Sequence, residues 1–173
     1  MTNTAKSGTM DRGDPMAFIR KATKTDVSRI AEIIVFNNRL NFFPIFRDES
    51  FSFGAVQVVP LADRYLSDAT LLRHTWVYDD GVVKGMMGVR DGEVEKLYVE
   101  PTFQGQGIGA KLLDHAISCL GATWLWALEK NEGALRFYAR HGFSPTGERK
   151  LEEDTPEYLV KLEYHESIRR SSL

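Results

Sequence analysis

The residues with the clearest chemical meaning are glycines. In Gln104-Gly105-Gln106-Gly107-Ile108-Gly109-Ala110, three glycines fall within five residues, between a strand-patterned run ending at Val99 and a helix-patterned run opening near Gly107. Without a Cβ the backbone turns tightly and approaches a ligand closely. Several N–H groups then point the same way at a helix N-terminus, where the dipole favours an anion. The chemistry open to such a loop is to hold a diphosphate. Two other readings stand beside it. One is a glycine-rich connector with no ligand. The other is a dinucleotide fingerprint: Gly105, Gly107 and Ala110 satisfy G-x-G-x-x-G/A, and Glu129 lies about 20 residues on, at a strand end. Against the fingerprint, Pro101 to Gln104 separate the strand from the first glycine, where an immediate turn is required. The loop also follows a meander, and too little chain remains for the rest of a doubly wound sheet.

The elements that position the loop are read from periodicity. Ala17 to Ala22 has the pattern of a short strand. Thr23 is a candidate N-cap with Asp26 three residues on, and Val27, Ile30, Ile33 and Ile34 recur at helical spacing as far as about Asn38. An aromatic-rich stretch, 39–59, follows. Pro60 fits the first position of a short second helix over Leu61 to Leu66. Leu72 to Tyr78, Val82 to Arg90 and Glu93 to Val99 form an antiparallel meander with turns at Asp79-Asp80-Gly81 and Asp91-Gly92. Gly107 to Leu120 is a helix with Ile108, Leu112, Leu113, Ala116, Ile117 and Leu120 on one side. Thr123 to Leu128 is a strand, and Asn131 to His141 is a helix stopped by Gly142. Phe143 to Lys150 and Glu157 to Tyr164 form a hairpin. The order is β-α-α-β-β-β-α-β-α-β-β, an α/β (α+β) fold. Its central strand–helix–strand unit is a right-handed parallel crossover, so the sheet is mixed and mostly antiparallel. Residues 1–15 are expected to be a flexible lead, 16–165 a single domain, and 166–173 a tail.

Composition narrows the class. Lys plus Arg number 22 and Asp plus Glu 24, a net charge of -2, so no basic excess points to nucleic acid. No apolar run approaches the roughly 20 residues of a membrane span, and the N-terminus lacks the apolar core of a signal peptide; both point to a cytoplasmic protein. Cys119 is the only cysteine, which excludes an intrachain disulfide and fits a reducing compartment. Ending an apolar helical run, it is expected to be a buried, inert thiol. His74, His115, His141 and His165 form no recognisable set, and no metal-ligand spacing is present.

Val94 to Pro101 followed by Gln104-Gly105-Gln106-Gly107-Ile108-Gly109 resembles motif A of the GNAT superfamily of N-acetyltransferases, Q/R-x-x-G-x-G/A after an L-x-V strand. Asn131, Ala134, Phe137-Tyr138 and Gly142-Phe143 resemble the family's motif B. The resemblance implies acetyl-CoA as donor and direct transfer in a ternary complex. It also implies that the fourth and fifth strands splay, with the pantetheine arm in the gap on the edge Leu97 to Val99, as in β-augmentation. On this resemblance the Val99 N–H polarises the thioester carbonyl, and the amides of Gly105, Gly107, Gly109 and Ala110 hold the pyrophosphate. Gln104, Ile108, Ala134, Phe137 and Tyr138 complete the expected cofactor contacts. Asn131 either orients the CoA arm or only caps its helix.

Amine attack on a thioester requires loss of an ammonium proton, stabilisation of the oxyanion and protonation of the thiolate. Tyr138 is the candidate acid, because the family places this hydroxyl near the CoA sulfur; the other reading is a core aromatic. Glu93 and Glu95 are candidate bases, expected by alternation to share a strand face with Leu97 and Val99. Glu93 stands six residues before Val99, where several family members carry a base acting through water. The competing reading is two solvated carboxylates, and acetyltransferases also run with no dedicated base.

Six of the ten phenylalanines fall within residues 36 to 53, in the region that covers the acceptor in the family. With Arg39 or Arg47 they suit an apolar amine or an amino-acid-like acceptor; equally, they pack on the sheet or form a homodimer contact. Trp124 and Trp126 are expected to pack on the sheet. The acceptor is thus a small-molecule or peptide/protein amine. A non-catalytic acyl-CoA sensor on the same scaffold is the alternative.

Overall fold

The computed structural model describes residues 18–166. The expected lead, Ala17, and nearly all of the expected tail lie outside the described residues. Seven strands form one sheet in the order β1-β2-β3-β4-β5-β7-β6. They are β1 Ile19–Lys21, β2 Thr75–Asp79, β3 Val83–Arg90, β4 Glu93–Val99, β5 Trp124–Leu128, β6 Phe143–Leu151 and β7 Tyr158–Tyr164. Every neighbouring pair is antiparallel except β4 and β5. This mixed sheet excludes the doubly wound alternative, which needs a parallel series.

Helix α1 (Val27–Asn37) begins behind a capping box in which Thr23 and Asp26 satisfy each other's first-turn groups. Arg20 on β1 grips Asp26 at 2.8 Å and Asp79 at 2.7 Å, tying the chain's first strand to the start of α1 and the end of β2. Ile30, Ile33 and Val35 of α1 are fully buried, and one core cluster joins this helix to Tyr65, Val77 and Met86. The second core lies on the other face. There Leu112, Leu113 and Ala116 of α5 (Ile108–Leu120) meet Met87, Val89, Val94 and Leu125. The Asp91–Gly92 hairpin is confirmed by positive φ at both residues, the geometry of a tight primed turn.

Several expectations are corrected. The stretch after α1 is wound into π-helical turns at Asn38–Phe42 and Ser50–Ala55, with a short helix α2 (Phe43–Phe46) between them. Helix α3 (Val58–Ser67) starts two residues before Pro60, which still lies in the first turn, where N–H groups need no helical partner. Leu72 and Arg73 belong to α4 (Ala69–Arg73) and not to a strand, because the Asp68 carboxylate accepts from the Thr70 N–H at 2.8 Å and nucleates that turn. Cys119 is exposed, not buried. The covered stripe of α5 runs through Leu112, Leu113 and Ala116, while Cys119 sits beside exposed Ser118 in the last turn.

Candidate active site: the cleft between β4 and β5

Strands β4 and β5 share a single registered pair, Glu93 with Trp124, and diverge beyond it. The predicted splay is therefore present. On its other side β4 is paired with β3 along its length except at Glu95. The Glu100 N–H donates to the Lys84 carbonyl at 2.8 Å, which fixes the phase of that ladder. Antiparallel pairs alternate between hydrogen-bonded and open. Gly85–Val99 and Met87–Leu97 are then open pairs, so the main-chain groups of Leu97 and Val99 point away from β3 into the gap. The Val99 carbonyl is already used: it accepts from Asn37 Nδ2 at 3.0 Å and Gln104 Nε2 at 3.2 Å. Gln104 also reaches Asn37 Oδ1 at 3.3 Å, tying the glycine loop to the end of α1.

The gap opens into a cleft of about 850 Å³. The glycine loop forms one end. Gly105 and Gly107 hold φ of 75° and 78°, and a Cβ added at either would meet nothing within 4 Å. Gly107 is the N-cap of α5, which begins at Ile108, one residue later than predicted, and the Gly107 carbonyl accepts from the Lys111 N–H. Gly109 and Ala110 follow in the first turn and also line the cleft. Helix α6 (Glu132–Arg140) supplies the facing wall with Ala134, Phe137 and Tyr138. Asn131 caps it, its Oδ1 accepting from the Ala134 N–H at 3.1 Å. Every residue expected at the cofactor thus lines one cleft, with Ile108, Leu97 and Val99 among them. The Tyr138 ring packs at 5.3 Å from Phe137 and 5.8 Å from Phe143. Burial pushes its phenol well above the ordinary tyrosine range, and the nearby Tyr98 adds to this.

The glutamates also line the cleft, but not on the expected face. Gly88 pairs with Lys96 and Val89 with Val94, so Glu95 is an extra residue with no partner on β3. A bulge of this kind inverts the alternation on either side of it. Val94 therefore joins Leu97 and Val99 on the α5 core, and Glu93 is turned to the opposite face. Glu95 is ion-paired with Arg90. Glu93 has no ion pair among the described residues; burial first, and then Glu95, push its carboxyl above the usual range, against the pull of Lys150 and Arg90.

Of the lining residues that escaped the sequence, four stand out. Asn37, 2% exposed, is a polar residue on an otherwise apolar helix stripe, and that break in the pattern was its signal. Tyr98 lies between Leu97 and Val99 and faces the α1 side, packing with the core cluster there. Burial raises its phenol as well, followed by Tyr65 and Glu152. Trp126 lines the cleft under the Lys150 ammonium, 4.4 Å from its ring, so it does more than pack on the sheet. Glu152, also pushed up by burial, borders the same end. Arg39 and Arg47, by contrast, do not line it; Arg39 donates to the Ser52 carbonyl and lies over Phe53.

A diverging β4–β5 pair with a glycine loop at a helix N-terminus is the architecture of an acyl-CoA-dependent transferase, and comparison with known proteins agrees. The acetyltransferase (GNAT) domain profile matches residues 72–145. The peptidyl-lysine N-acetyltransferase YjaB of Salmonella typhimurium is 30% identical over 105 residues, covering 60% of this chain and 71% of that protein. The solution structure of apo YjaB from Escherichia coli superposes with a TM-score of 0.67 at 23% identity, over 84% of this chain and 95% of that one. The structure of yncA from Salmonella typhimurium with its cofactor acetyl-CoA gives 0.57 at 25% identity, over 86% and 94%. The chain belongs to the GNAT family and is an N-acetyltransferase. No helix among the described residues is long and apolar enough to cross a membrane.

Proposed function

We propose that this chain binds acetyl-CoA in the β4–β5 gap and passes the acetyl group directly to a primary amine held in the same cleft. The observation that carries this reading is continuity. One cleft runs from the glycine loop, along the free edge of β4, to Glu93 and Tyr138. The open space over Gly105 and Gly107 fits a diphosphate laid against main-chain N–H groups. The Leu97 N–H and carbonyl and the Val99 N–H, which face the gap, fit the amides of a pantetheine arm. Acetyl-CoA supplies an activated thioester.

The chain's own residues do the rest. Amides of Gly105, Gly107, Gly109 and Ala110 hold the pyrophosphate, and a free N–H on β4 stabilises the charge that builds on the carbonyl oxygen. At a rise of about 3.3 Å per residue, Glu93 is roughly 20 Å from Val99 but roughly 13 Å from Leu97. A glutamate side chain and one bridging water together span about 10 Å. The Leu97 N–H is therefore the better oxyanion donor for a reaction that uses Glu93, and Val99 holds the arm farther along. Glu93 takes the ammonium proton, directly or through water; its raised pKa moves it toward the range in which a base works near neutrality. Glu95, committed to Arg90, shapes the bulge that aims Glu93. Tyr138, kept protonated by burial, gives its proton to the departing thiolate.

The test is thiol release from acetyl-CoA with a panel of primary amines across pH. A base acts only when deprotonated, so kcat/KM rises as pH climbs through the Glu93 titration, above the usual carboxylate range. Glu93→Gln is expected to lower kcat/KM by about 10²–10⁴ and to erase that limb, while Glu95→Gln keeps it. Stabilisation by NAD but not by acetyl-CoA, or CoA binding with no amine acetylated, would refute the proposal.

A further inference from the structure

Resting on that reading, we infer that the acceptor is an arylalkylamine: a primary amine on an apolar body of aromatic size. On the α1 side of the sheet, the cleft wall is a row of four rings. Tyr98 lies 6.2 Å from Phe42, Phe42 lies 6.0 Å from Phe46, and Phe46 lies 5.8 Å from Phe51, centroid to centroid. All four line the cleft. Core packing does not account for the three phenylalanines, because none is buried and none joins either core cluster. Leaving such rings beside a wet cleft forgoes the gain from covering them, a gain that an apolar ligand restores. The segment that carries them is also unusual. It winds into π-helical turns on either side of α2, and turns of this kind concentrate at functional sites.

The charges on this side fit an ammonium and not a carboxylate at the connector, the stretch between α1 and α3. Arg39 and Arg47, the connector's cations, are not in the wall. Glu93 and Glu152 line the cleft, with Lys150 held over Trp126 and Lys96 set beside Glu95 on the bulge. An amine end directed at Glu93 with its body on the phenylalanine row satisfies both features. A polyamine covers the rings only with thin methylene spacers, and a lysine side chain offers a narrow alkyl stem with a polar backbone behind it.

The experiment measures kcat/KM at saturating acetyl-CoA, on the full chain, for 2-phenylethylamine and tryptamine against butylamine, spermidine and Nα-acetyl-lysine amide. Covering one aryl ring is expected to favour the first pair by about tenfold to a hundredfold. Phe46→Ala and Phe51→Ala, at half-buried and exposed positions, are each expected to pull that ratio toward one while calorimetric CoA affinity holds. Equal or better use of spermidine or the lysine amide overturns the inference, as does an equal loss for every amine in both variants. Failure of CoA to bind sinks the acetyl-CoA reading itself. CoA binding and turnover without an aryl preference sinks only the acceptor class.

Discussion

The two sides of the cleft offer different means of recognition. On the α5 side the contacts proposed for the cofactor are main-chain groups: the amides of the glycine loop and the open edge of β4. On the α1 side the wall is made of side chains, Phe42, Phe46, Phe51 and Tyr98, brought together from the connector and β4. Main-chain recognition demands particular backbone geometry, and geometry leaves a local trace in sequence as glycines at fixed spacing. Side-chain recognition needs only that rings meet in space, which no local spacing encodes. One side can therefore stay fixed while the other varies.

If that division holds, damage to one side leaves the other working. The largest separation is expected at Tyr138, whose proposed role lies in the chemistry more than in cofactor affinity. Tyr138→Phe keeps the ring against Phe137 and Phe143, so kcat is expected to fall by about 10²–10⁴ while CoA affinity is nearly unchanged. Steady-state kinetics with calorimetry checks it. A kcat within about twofold of the parent, with chemistry rate-limiting, would leave Tyr138 a packing residue.

The next effect is at Gly107. Its φ of 78° suits glycine, and a side chain there would enter open space at the helix N-terminus. Gly107→Glu is expected to weaken CoA binding by at least about a hundredfold, since it places a carboxylate where the dipole holds an anion. The left-handed conformation costs roughly 1–2 kcal/mol for a residue with a Cβ, so the melting temperature should fall by only a few degrees. Unchanged CoA affinity would reduce the loop to a connector.

Legibility in the sequence follows the same division. Strand β4 and the Asp91–Gly92 turn sit where alternation and turn chemistry put them, and α5 and α6 differ from expectation only at their ends. These elements are specified by short-range patterns. What escaped was set by contacts across the fold. The face of Glu93 depends on a bulge at Glu95, one extra residue that only the pairing with β3 reveals. The exposure of Cys119 depends on where the covered stripe of α5 stops, after Ala116. Asn37 gains its place from Val99 and Gln104, residues more than sixty positions away. The π-helical turns of the connector have no periodic signature that distinguishes them from an irregular aromatic stretch.

The free edge of β4 and the glycine loop are proposed to form the cofactor site together. Residue-resolved amide hydrogen exchange tests this most directly. In the free protein the Leu97 and Val99 amides face the gap and should exchange faster than Tyr98, whose pair with Met86 is hydrogen-bonded to β3. Adding CoA should slow Leu97 and Val99 together with Gly105, Gly107 and Gly109, and adding NAD should slow none of them. Slow exchange at Leu97 and Val99 without ligand, or no change on adding CoA, would contradict the account.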